Sequence, residues 1–113
     1  MVIKHMPSGL FPHFDSGLER RPYFVKAGEQ VEFGCRLDGS KADSVRLELT
    51  DGVRTVRVPG IYHSANDRGQ RYFRFVYRMQ EGERTLHYRF VTSRGGRSRD
   101  YECPILRELT FTP

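Results

Sequence analysis

The stretch Arg71-Tyr72-Phe73-Arg74-Phe75-Val76-Tyr77-Arg78 decides the fold class. Phe73, Phe75 and Tyr77 share one parity, and Arg74 and Arg78 share the other. A β-strand sends successive side chains to opposite faces, so this run has one apolar face and one cationic face. The same alternation recurs at Val31-Phe33-Cys35-Leu37, at Val45-Leu47-Leu49 and at Leu86-Tyr88-Phe90. No run shows the 3.6-residue spacing of a helix that buries one face. The chain is therefore expected to be an all-β, antiparallel sandwich, with Phe33, Cys35, Leu47, Phe73, Phe75, Tyr88 and Phe90 in its core.

Turn residues divide the rest. Lys26-Ala27-Gly28-Glu29 precedes a strand over Gln30–Leu37, and Asp38-Gly39-Ser40-Lys41 leads to a return over Ser44–Thr50. Asp51-Gly52 is a two-residue hairpin signal before Val53–Pro59, and Pro59-Gly60 breaks that strand. Ile61 to Gln70 reads as a long polar loop, followed by strands over Arg71–Met79 and Thr85–Thr92. Gly95-Gly96 turns into Arg99–Cys103, Pro104 interrupts, and Leu106–Thr112 is the last strand expected. The sum is roughly seven to nine short strands with turns about every ten residues, the spacing of a sandwich. Residues 1–22 are aperiodic but carry Leu10, Phe11 and Phe14. They are expected to form an extended segment packing on the domain or a partner, with the sandwich domain over 23–113.

The 113 residues suffice for one domain with one two-layer core. Trp is absent, and eight Phe and six Tyr supply the bulk. The net charge is +5, from 19 Lys and Arg against 14 Asp and Glu, and Arg dominates the cations. These arginines are dispersed, which fits solvated strand faces with cross-strand carboxylate pairs better than a nucleic-acid patch. No segment approaches the roughly 20 apolar residues of a membrane span, so no membrane partner is expected. Met1-Val2-Ile3-Lys4-His5 lacks the apolar stretch of a secretory signal, which implies a cytoplasmic location, or a secreted one if the chain is a fragment.

Cys35 lies on the apolar parity of its strand, and Tyr101-x-Cys103 lies on a late one. The arrangement resembles the surroundings of the inter-sheet disulfide in immunoglobulin domains, although the Trp of that pattern is missing. A disulfide and two buried thiols both remain open. The expected fold is accordingly immunoglobulin-like. A second resemblance rests on His5-x-Pro7-x-Gly9, Glu19-Arg20-Arg21-Pro22 and Ala27-Gly28-Glu29-x-Val31. Together these resemble the opening of N-terminal β-sandwich modules of bacterial glycoside hydrolases, the family 31 α-glucosidase-like enzymes among them. Leu86-His87-Tyr88-Arg89-Phe90 is similar to a late strand of the N-domains of maltogenic amylases. The resemblance implies an accessory module whose catalytic barrel follows elsewhere, and it carries no catalytic residue into this chain.

The chemistry-bearing residues agree. His5, His13, His63 and His87 share no ligand spacing, so they read as isolated surface or loop histidines and no metal or other cofactor is expected. Asp15 and Glu19, or Asp51 and Asp67, do not make the acid pair of a glycosidase, and Ser16 and Ser64 lack a nucleophile context. Arg71–Arg78 only partly matches an RNA-recognition strand, and the helices of that fold are missing, so nucleic acid is not the expected partner. Sugar binding needs exposed aromatic rings with polar neighbours. Tyr62 in the long loop and Tyr72 on the Arg face are the candidate rings, with Asn66, Asp67, Arg68 and Arg74 as hydrogen-bonding neighbours. The function expected is that of a non-catalytic N-terminal module of a carbohydrate-active enzyme, serving domain packing, shaping of the substrate entrance or weak glycan binding. Its partners would be a downstream catalytic domain or a second copy, and an oligosaccharide. The alternative is a free-standing binding module whose basic Arg face takes an anionic partner, either nucleic acid or an acidic polysaccharide.

Overall fold

The computed structural model describes residues 2–8, 17–39, 42–79 and 85–106. Ten strands and no helix occur among them. They are β1 (Val2–Lys4), β2 (Arg20–Arg21), β3 (Val25–Lys26), β4 (Gln30–Asp38), β5 (Val45–Thr50), β6 (Thr55–Pro59), β7 (Ile61–Ala65), β8 (Arg71–Arg78), β9 (Thr85–Thr92) and β10 (Tyr101–Leu106). The first sheet has the order β1-β4-β8-β7, with β2 also paired to β4; the second is β3-β10-β9-β5-β6. Every pairing is antiparallel except β3 with β10.

The parity of the opening stretch sets the layers. In the β4–β8 ladder Phe33 lies opposite Phe75 and Cys35 opposite Phe73, so all four face inward. In the second sheet Leu47 lies opposite Phe90 and Leu49 opposite Tyr88. The inner faces meet where Phe75 packs against Phe90, with ring centroids 5.3 Å apart, and Phe33 against Tyr88 at 4.9 Å. All seven core residues expected from the sequence are buried. Burying each large one is worth roughly 1.5–3 kcal/mol.

Three boundaries differ from the reading of the sequence. Asp51-Gly52 does start a hairpin, but its turn runs over 51–54, because the Asp51 carboxylate accepts hydrogen bonds from the amides of Val53 and Arg54. Ile61–Ala65 is a strand, β7, and only 66–70 form a loop. This strand is an edge of the first sheet, and Ile61, Tyr62 and His63 are exposed, so no apolar alternation marks it. Pro104 lies within β10. Pairing with β3 starts only at Ile105, and the open edge before it is a position where a strand tolerates proline. The expected packing of 10–14, the turn over 80–84 and the continuation beyond Leu106 lie outside the described residues.

The N-terminal segment enters the sheet. Val2–Lys4 pairs with Arg36–Asp38 of β4, and Arg20–Arg21 pairs with Glu32–Phe33. Between these points the Gly34 amide donates to the Glu19 carbonyl at 3.1 Å, while Met6 and Leu18 are joined by a 2.9 Å backbone bond. The returning chain crosses so close to β4 that a Cβ on Gly34 would be driven into the Gly17 carbonyl. Gly17 itself has φ of 74°, a conformation open to glycine.

Two buried polar side chains lock this crossing. His5, which the spacing argument treats as a surface or loop residue, is buried against Tyr88, Phe90 and Tyr101. Its Nδ1 lies 2.7 Å from the Gly34 carbonyl, which can only accept, so Nδ1 carries the proton. Nε2 then accepts from the Tyr88 hydroxyl at 2.9 Å, and the Tyr88 oxygen accepts from Arg20 Nη1 at 3.1 Å. Arg20, only 3 % exposed, also donates to the carbonyls of Glu102 and Tyr23 and lies over the Tyr23 ring. Among the described residues no carboxylate pairs with it.

Burial, opposed by the bond to Gly34 and reinforced by the Arg20 charge, lowers the His5 pKa to about 4. Between that value and the usual 6.5 the unfolded chain binds more protons than the folded one. Stability is then complete above pH 6.5 and lost as the pH falls toward 4, by about 3 kcal/mol for this group. Urea denaturation should show that fall between pH 7 and pH 4, and His5→Gln should flatten it while lowering stability at pH 7. Gly34→Ala should cost about 1–3 kcal/mol or more at any pH, since the blocking atom is backbone.

Candidate functional site

The sugar-contact residues expected from the sequence all belong to the β7–β8 hairpin, but the structure does not bring them to one surface. Tyr62 lies opposite Phe73, so it points to the inner side of the first sheet. It sits at the open edge, stacked edge-on against Phe73 with centroids 6.0 Å apart, and remains 56 % exposed. Tyr72 lies opposite Ser64 and Arg36 and points to the outer side. The two rings are therefore on opposite faces. A register shift between Tyr62 and Ser64 makes His63 the extra residue of a bulge, a common way to blunt an exposed edge.

The outer-face pair is covered. Gly17 passes over Tyr72 so closely that a methyl group on its Cα would meet the ring at 3.4 Å. Arg74 on the same face donates to Glu32 at 2.6 Å. Asn66 is occupied by the turn. Its side-chain oxygen accepts from the amides of Arg68 and Gln70, and its amide nitrogen donates to the Gln70 side chain at 2.7 Å. Asp67 and Arg68 project into solvent at the tip. The structure thus groups Tyr72 with Arg74, and Asn66 with Asp67 and Arg68, and leaves Tyr62 apart.

The arginines of the cationic face of β8 also find partners within the domain, although Arg74 Nε is buried without one among the described residues. Besides the Arg74–Glu32 pair, Arg78 donates to the Gly28 carbonyl at 2.8 Å; Arg71, on the inner parity opposite Leu37, donates to the Ala42 carbonyl at 2.6 Å. On the other sheet three arginines gather on one carboxylate. There Glu48 of β5 accepts from Arg46 Nε at 3.1 Å, from Arg57 Nε of β6 at 3.2 Å and from Arg89 Nε of β9 at 3.0 Å. Burial alone would raise the Glu48 pKa, but the hydrogen bonds from Arg46, Arg89 and Arg57 outweigh it and hold the carboxyl below its usual range. Dispersed arginines imply cross-strand pairs of this type, but nothing in the sequence singles out Glu48. The visible signal is outer parity alone, shared by Arg46, Glu48, Arg57 and Arg89.

The two thiols are sequestered. Cys35 and Cys103 are both free thiols and buried, and burial raises the pKa of each, which suppresses the thiolate. Among the described residues no cluster of His, Cys, Asp or Glu is placed to hold a metal ion. Asn66→Ala should destabilise the domain by about 1–2 kcal/mol in denaturant titration, because it strips acceptors from two turn amides.

No family of known proteins matches this sequence, and no curated protein does. Solved structures do match the fold. An uncharacterized protein of Listeria monocytogenes EGD-e is similar over 91 % of this chain, at 20 % identity and a TM-score of 0.74. A cycloalternan-forming enzyme of Listeria monocytogenes, solved with a pentasaccharide substrate, is similar over 91 % at 21 % identity and a TM-score of 0.73. A mutant of a protein called Kfla1895 is similar over 90 % at 22 % identity and a TM-score of 0.68. The chain corresponds to only 10 % of each of the first two and 15 % of the third. At these identities the likeness is one of fold.

Proposed function

We propose that this chain is a non-catalytic accessory module of a carbohydrate-active enzyme, an N-terminal immunoglobulin-like sandwich of the kind its opening residues resemble. The observation that carries the reading is the recurrence of nearly the whole fold as one tenth of a cycloalternan-forming enzyme. Its mechanism would be burial of surface against a catalytic portion, with the covalent chemistry carried elsewhere. The internal pairing of Arg74 and Arg78 and the buried thiols support a structural part over a reactive one. Family 31 and maltogenic-amylase-type enzymes are the proposed settings.

The test is the size and company of the native protein. Antibodies to this chain should detect a species several times its 13.2 kDa, copurifying with activity on α-glucans. A native species of 13.2 kDa without such activity would refute the proposal.

Direct glycan contact, the finer part of the proposal, falls to Tyr62, because it is the exposed ring of the pair. Titration with maltooligosaccharides should shift the NMR signals of Ile61–Ala65, and Tyr62→Ala should abolish the shifts. Shifts centred on Tyr72 and Arg74 would contradict this assignment.

A further inference from the structure

We infer that the outer face of the second sheet docks an acidic protein surface, with Arg46, Arg57, Arg89 and Arg97 as its carboxylate-binding groups. Cross-strand pairing puts Arg57, Glu48 and Arg89 in one row. The adjacent row holds Pro59, Arg46 and Val91, and the isolated bridge from Val91 adds Arg97. These two rows carry four arginines against the single carboxylate of Glu48. The row on the other side adds Glu102 opposite His87, so the cationic excess is confined to the β5–β6–β9 part of the face.

The arginines are held ready for a ligand. Glu48 engages the Nε of three of them, while their terminal Nη groups have no partner among the described residues. A guanidinium offers five donors in a planar fork suited to carboxylates, and an immobilised one loses less freedom on binding. Glu48 is nearly buried beneath them, whereas the Arg57 side chain is 65 % exposed.

The rest of the face selects the class of partner. Its one ring among the described residues, the exposed His87, lies in the row of Glu102, so no ring stands among the four arginines for a sugar or a base to stack on, which disfavours glycans and single-stranded nucleic acid. Arginine is itself enriched at protein interfaces, where its fork matches a carboxylate. The inference rests on the accessory-module reading for its occupant, the acidic face of a protein portion packed against this domain.

The experiment titrates the chain with poly-L-glutamate at low salt, against duplex DNA and heparin as rival polyanions. The expected shifts are confined to the amides around Arg46, Glu48, Arg57, Arg89 and Arg97, and they vanish at high salt. Arg57→Gln, which leaves two arginines on Glu48, should weaken binding about fivefold. Glu48→Gln removes the internal competitor and should tighten it with the shifts still confined to these residues, whereas non-specific attraction would tighten it without localising the shifts. If that variant fails to fold, Arg97→Gln carries the test and should weaken binding. Tighter binding of DNA or heparin, shifts elsewhere, or no binding of poly-L-glutamate overturns the inference. None of those results bears on the size of the native protein, so the accessory-module reading fails or stands separately.

Discussion

A single run of hydrogen bonds ties the N-terminal segment to both sheets: Arg20 to the Tyr88 hydroxyl, Tyr88 to the His5 ring, and His5 to the Gly34 carbonyl. Each donor meets an acceptor only if His5 is neutral. The arrangement places a buried guanidinium in an aromatic setting where, among the described residues, three backbone or hydroxyl oxygens and the faces of Tyr23 and Tyr88 take the place of a carboxylate. Removing any one member leaves the next buried and unpaired, which costs more than the bond itself contributes. Gly34 is the geometric condition for all of it, since only a residue without Cβ lets the chain at Gly17 pass.

That constraint also shapes the two outer faces. On the first sheet the crossing covers Tyr72 and approaches Arg74, whose guanidinium is met by Glu32. On the second sheet nothing among the described residues crosses, and three arginines share one carboxylate. Similar sequence patterns, arginines on the outer parity of a strand, thus end in opposite electrostatic states. The difference comes from whether acids face them across the strands and whether backbone lies above, and neither is visible in the alternation itself.

The inner faces are legible in the sequence because burial imposes period two on central strands. Phe33, Phe73, Phe75 and Phe90 can be assigned from parity alone. β7 is not legible, since an edge strand with exposed Ile61 and Tyr62 has little burial to imprint. β1 and β2 are too short to show a period, and the roles of His5 and Arg20 depend on contacts 29 to 83 residues away. The candidate sugar site shares this limit. Its six residues are close in sequence, but sheet geometry separates Tyr62 from Tyr72, and the turn consumes Asn66. The arginines around Glu48 come from three strands, and only pairing register unites them.

The rigidity of this domain depends on the N-terminal segment being part of the sandwich. Native-state hydrogen exchange of the Gly34 amide, which donates to the Glu19 carbonyl at 3.1 Å, tests this most directly. If the crossing is integral, that amide exchanges as slowly as the slowest amides of the β4–β8 ladder and opens only with global unfolding. Exchange through a local opening, far faster than the ladder and insensitive to denaturant, would contradict the account and make the segment a peripheral strap.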